Sequence, residues 1–170
     1  MVRSERVGRG ALEIGRWGAL GLLMTLAFLN YMDRNLILPL LGSIGRDLHL
    51  EEDRLGAFAT GFHIVYGASA PLVGRLADVW PRKRILLVAV AGWSVVTATS
   101  GLAAGFLSLL VFRALTGLGE GGYFPTALSL IGDLFPKELR GRAIALHGAC
   151  TTLGGSAGYA IGGAMGQRFG

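Results

Sequence analysis

Long apolar runs broken by short charged strings set the pattern of this chain. A helix needs about 20 mostly apolar residues to cross a bilayer, and taking the charges as boundaries predicts five such helices. The first spans 17–41 and is interrupted by the polar string Asn30-Tyr31-Met32-Asp33-Arg34-Asn35. The second, 55–76, is built on the charge-free stretch between Arg54 and Arg75. The run from Ile85 to Ile131 is too long for one crossing. It splits at Gly101-Leu102-Ala103-Ala104-Gly105 into spans near 85–103 and 106–131. A fifth covers 143–165, so that residues 17–166 form a bundle between a tail, 1–16, and an end, 167–170. No ten-residue alternation is present, and only helices and closed barrels satisfy the backbone in lipid. The predicted class is therefore all-α integral membrane.

Composition agrees. The chain is 52% hydrophobic and 16% charged, where soluble domains run near 25% charged. That balance excludes disorder, which needs low hydrophobicity and high charge. A disulfide scaffold is excluded by the single cysteine, Cys150. Glycine has no three-residue period, which excludes a collagen-like chain. A net charge of +5 in a soluble protein would point to nucleic acid, but its distribution points to a bilayer. The tail carries Arg3, Arg6, Arg9 and Arg16; the 2–3 loop Arg75, Arg82, Lys83 and Arg84; the 4–5 loop Lys137, Arg140 and Arg142. The opposite side has only Arg46, Arg54 and Arg168, and loop 1–2 adds Asp47, Glu51, Glu52 and Asp53. By the positive-inside rule the N-terminus is cytoplasmic. The basic start and the apolar run after it resemble a signal peptide, yet no small-x-small cleavage site follows.

Four ionisable residues fall within spans: Asp33 and Arg34 in the first, Arg113 and Glu120 in the fourth. Each costs roughly 2.5–3.5 kcal/mol at a helix centre. The plain reading is a salt bridge that pins two helices. The functional one is a pathway, because intramembrane charges face cavities or partners. At 1.5 Å per residue, Asp33 lies about 24 Å, Arg113 about 27 Å and Glu120 about 16 Å from the cytoplasmic ends of their spans. Arg113 and Glu120 are seven apart and share a face. A carboxyl caught between burial and a nearby arginine can change protonation when its surroundings open. Asp33 and Glu120 are thus the proton-carrying candidates, and Arg113 or Arg34 the counter-charge or anion anchor. Spans one and four each begin a three-helix unit, where inverted-repeat transporters place functional residues.

Gly117-Leu118-Gly119-Glu120-Gly121-Gly122 fits G-x-G-x-x-G but lacks the strand and helix context of a dinucleotide site. Gly117 and Gly121 are four apart, the small-xxx-small spacing of close helix packing. Pro125 would bend the same helix. Gly154, Gly158 and Gly162 repeat that spacing on the fifth span, as static packing or as a face for a sliding helix. His63 and His147 read as polar contacts before ligands or relays, and Cys150 as a small packed hydrophobe. No cluster has metal-ligand spacing. No nucleophile–base set for an enzyme is visible.

These motifs resemble the major facilitator superfamily. Gly74-Arg75-Leu76-Ala77-Asp78-Val79-Trp80-Pro81-Arg82-Lys83-Arg84 is similar to its 2–3 loop signature, with Val79 for a basic residue and Pro81 for glycine. Arg113-Ala114-Leu115-Thr116-Gly117-Leu118-Gly119 is similar to its fourth-helix motif, and Pro136 to Ala143 to its 4–5 loop. Asn30-Tyr31-Met32-Asp33-Arg34, Gly119-Glu120 and Gly158 to Gly163 resemble the spinster-type lipid transporters, with the organic anion symporters close by.

The resemblance implies five helices of a six-helix N-terminal half of a major facilitator fold. It further implies a secondary active transporter that moves a small organic anion or a lysolipid-like amphiphile, proton-coupled by alternating access, with no cofactor. Asn30, Tyr31, Asp33, Arg34, Arg113 and Glu120 would bind substrate or proton. Gly74, Asp78, Arg82 and Lys83 would form a cytoplasmic gate, unless the basic residues only anchor topology. The expected location is the plasma membrane, or a bacterial inner membrane, crossed several times. Family members have twelve spans, so the expectation is a piece of a longer product, inactive without its C-terminal half. The rival expectation is a receptor or assembly subunit whose buried ion pairs are structural.

Overall fold

A computed structural model describes residues 2–47 and 49–169, with the side chains of 2–14, 52, 77, 78 and 169 left aside. The described residues form α1 (Val2–Leu36), a 3-10 turn (Leu38–Leu40), α2 (Leu41–Asp47), α3 (Glu52–Val79), α4 (Arg82–Ser100), α5 (Phe106–Leu134) and α6 (Lys137–Phe169). Five helices are long, and α2 is a short addition that the hydrophobic pattern does not foretell. The apolar stretch that reaches Leu41 breaks after Leu36 because Pro39 lacks an amide donor and disfavours helix in the residue before it. The α4–α5 connection occupies residues 101–105, the glycine-bounded split in the long apolar run.

The α2 helix closes on a left-handed residue, His49, at φ 50°. The amide of Leu50 donates to the Gly45 carbonyl (2.8 Å) and that of His49 to Arg46 (3.3 Å), the paired bonds of a Schellman motif.

In the long helices, hydroxyls bond to their own backbone. Thr25 donates to Gly21, Thr60 to Gly56, Thr116 to Phe112 and Thr126 to Gly122 at 2.7–3.0 Å. Such bonds satisfy Ser and Thr without water. Large apolar side chains face outward, among them Ile64, Leu72, Val88, Val95 and Leu107, each more than 60% exposed. A soluble domain would hide many of these; lipid accepts them. Among the described residues, only Arg82–Ser100 is by length and composition alone apolar enough to cross a membrane. The other four long helices carry the charges, polar strings and glycines from which a site can be built.

Two compact units contain these elements: residues 1–38 with 130–164, and residues 39–129 with 165–170. In the first, Leu20, Leu23 and Ala27 of α1 are buried, as are Ile131, Phe135, Ala143 and His147. Trp17 meets Phe135 edge-on at 5.0 Å, and Arg16 lies over the same ring at 5.8 Å. The second unit buries Phe58 and Phe62 of α3, Ile85, Leu86 and Trp93 of α4, and Tyr123 and Ala127 of α5. Trp93 meets Tyr123 edge-on at 5.9 Å.

Candidate functional site

In the second unit, glycines on α5 bring α3 close. A Cβ at Gly117 would stand 2.9 Å from the Phe62 carbonyl oxygen, and one at Gly121 would overlap the Ser69 hydroxyl. On its α4 side, Gly119 abuts Trp93 and Ala89. The G-x-G-x-x-G string is thus the middle of a helix, and its glycines are contact points between helices.

This register slides two α3 aromatics beneath Arg113. Its guanidinium carbon lies 5.0 Å from the Phe62 ring centre and 5.8 Å from that of Phe58. Phe62 in turn stacks on Tyr66 at 5.8 Å. A cation over aromatic faces is worth ~0.5–2 kcal/mol, most when desolvated. Arg113 therefore has a defined seat. Glu120, seven residues on, is fully buried, about 10 Å farther along the same helix face. Thr116 between them is buried, with its hydroxyl on the Phe112 carbonyl. One side of α5 thus presents a seated guanidinium and an enclosed carboxyl.

The first unit holds the polar string of α1. Asn30 is buried; Tyr31, Asp33 and Arg34 are half-buried. The Arg34 guanidinium carbon lies 4.8 Å over the Tyr31 ring. Asn35 donates to the Tyr31 carbonyl at 2.8 Å. A Cβ at Gly154, Gly158 or Gly162 of α6 would collide with the carbonyls of Phe28, Met32 or Leu36. The glycine stripe is thus a backbone-to-backbone seam with α1. That seam fixes α1 in rotation, and Asn30 lies roughly half a turn around the helix from Phe28. Asn30 and Asp33, one turn apart, share a side away from α6.

Arg113 and Glu120 thus sit together on α5, and Asn30, Tyr31, Asp33 and Arg34 on α1. In the α3–α4 loop region Gly74 and Lys83 are exposed and Arg82 is half-buried, while the Asp78 side chain lies outside the described residues. His63 is exposed, its Nδ1 2.8 Å from the Ala59 carbonyl. His147 is buried and Cys150 half-buried. Sequence reasoning misses Phe58 and Phe62. Their signal was spacing by four on the charge-free span that faces the Gly117/Gly121 pair.

The family model described as Major Facilitator Superfamily matches residues 23–170. The chain is 32% identical to the sphingosine-1-phosphate transporter SPNS2 of Xenopus tropicalis over 89% of its length and 30% of that protein's. It is 34% identical to the probable sulfoacetate transporter SauU of Cupriavidus necator, over 81% of this chain and 32% of that protein. Among solved structures, a bacterial homologue of the human lysosomal transporter spinster, inward-facing and unoccupied, superposes with a TM-score of 0.83 at 32% identity. That match covers 88% of this chain and 32% of the other. The chain spans under a third of the length of these relatives.

Proposed function

The chain belongs to the Major Facilitator Superfamily, and we propose that it forms part of a proton-coupled secondary transporter that works by alternating access. The activity proposed is that of a protein of the relatives' length, in which further helices supply the opposite wall of the pathway. The observation that carries the proposal is the pairing of Arg113, seated on Phe58 and Phe62, with the fully buried Glu120 on one face of α5. A fixed guanidinium recognises an anionic headgroup or carboxylate. A carboxyl one level deeper takes and gives a proton. Asp33, with Asn30 beside it on α1, is the second proton-carrying candidate.

The substrate proposed is an amphiphilic or small organic anion. The names of the relatives support the class: one carries sphingosine-1-phosphate and another is a probable carrier of sulfoacetate. The basic tail, α3–α4 loop and α5–α6 loop support a cytoplasmic N-terminus in a plasma or bacterial inner membrane. Gly74, Asp78, Arg82 and Lys83 are proposed as the cytoplasmic gate. Proteoliposome uptake of a lysolipid against a hexuronate-type acid, with and without a pH gradient, tests the reading. Uptake of neither substrate under any gradient would overturn it.

A further inference from the structure

His63 takes no part in the Arg113–Glu120 face, yet it touches the ring on which Arg113 is seated. Its imidazole meets Phe62 edge-on at 5.3 Å, and the Arg113 guanidinium carbon lies 5.0 Å from the centre of that ring. His63 is exposed, about 16 Å along α3 from Glu52, near the middle of a ~30 Å hydrocarbon core. A polar ring at that depth is costly against lipid and turns instead to protein or a water-filled cavity.

The backbone decides which nitrogen is available. Nδ1 lies 2.8 Å from the Ala59 carbonyl. A carbonyl only accepts, so Nδ1 carries the proton, and in the neutral ring Nε2 is left as an acceptor. Two further acceptors stand beside it at helical spacing. Thr60 donates its hydroxyl to the Gly56 carbonyl at 2.9 Å, which leaves its oxygen to accept. Pro71, inside the same helix, has no amide to offer the Gly67 carbonyl. Thr60 and Gly67 are exposed, and a Cβ at Gly67 meets nothing within 4 Å. Ile64, 65% exposed, lies at the same depth but about 100° around the helix from His63.

We infer that Nε2 of His63 accepts a hydrogen bond from the transported substrate, and so selects organic anions that carry a hydroxyl or ammonium donor near the acid group. The inference rests on Arg113 as the anion anchor. The anchor holds the charge, and the neighbouring side of α3 offers acceptors whose own protons are already spent. An anion without donors leaves those acceptors unmet.

Titration calorimetry on a protein of the relatives' length tests this with two pairs of anions. Glucuronate and sphingosine-1-phosphate bear donors; cyclohexanecarboxylate and octadecyl phosphate do not. Within a pair, the donor-bearing anion should bind roughly three- to ten-fold tighter, the worth of one hydrogen bond. His63→Phe should abolish that preference while affinity for the donor-free anion stays unchanged, and His63→Gln, which keeps an acceptor near the Nε2 position, should restore part of it. Equal binding within both pairs, or a preference that survives His63→Phe, overturns the inference alone. Binding of none of the four overturns the Arg113 anchor and the inference with it. Independently of binding, the thiol introduced by His63→Cys in a Cys150→Ser background should react in proteoliposomes with a charged, membrane-impermeant methanethiosulfonate, and that from Ile64→Cys should not. Reaction at position 64 but not at 63 would set His63 against lipid and overturn the inference.

Discussion

Gly158 of α6 packs directly on the backbone carbonyl of Met32 in α1, where a Cβ has no room. Met32 adjoins Asp33, so this contact sets the rotation of the turn that carries the proposed proton-linked acid. Gly158→Ala should therefore destabilise the chain by ~1–3 kcal/mol, the usual range for overpacking. Gly163→Ala on the same helix, where a Cβ meets nothing, should be neutral or gain up to about 1 kcal/mol from helix propensity. Thermal unfolding in detergent, followed by helicity, checks the contrast. Equal effects at the two positions would remove the seam from the account.

The seat of Arg113 is energetic as well as geometric. A double-mutant cycle of Arg113→Met with Phe62→Leu should show a coupling of ~0.5–2 kcal/mol. The readout is again the unfolding equilibrium. Additive effects would mean that the ring and guanidinium are neighbours without mutual attraction.

Arg140 closes the α5–α6 turn. Its Nη2 donates to the Gly132 carbonyl at 2.6 Å and, more weakly, to Phe135 at 3.4 Å. These carbonyls end α5, so the cation also meets the negative end of the helix dipole. Arg140→Gln should cost about 1.5–3 kcal/mol, the range for hydrogen bonds to charged groups. Arg140→Lys should recover part of this loss, since charge remains but the planar fork does not. Denaturation midpoints of the two variants decide it.

The helices were legible in the chain because their boundaries are chemical: charges, prolines and the glycine pair at 101 and 105. The end of α1 ahead of Pro39 was not foreseen, because the proline is uncharged and lies among apolar residues, so the hydrophobic pattern runs across it to Leu41. Gly117, Gly121 and Gly158 announced close packing by spacing alone. What they pack against was hidden, because the partners Phe62, Ser69 and Met32 contribute backbone or ordinary core atoms and carry no motif. Phe58 and Phe62 were missed for a related reason. A phenylalanine in an apolar run looks the same whether it faces lipid or a guanidinium, and only the register between α3 and α5 tells the two apart. Glu120 was conspicuous from the outset, since a carboxyl in an apolar span has few structural uses.

Whether the buried α5 carboxyl carries protons is read most directly from uphill uptake into proteoliposomes by a protein of the relatives' length, compared between the native sequence and Glu120→Gln. With an imposed pH gradient, the native protein should accumulate the anion above equilibrium. Glu120→Gln should still exchange substrate down its own gradient but should no longer respond to the pH gradient. Undiminished pH-driven accumulation in Glu120→Gln would contradict the assignment of the buried α5 carboxyl as a proton carrier.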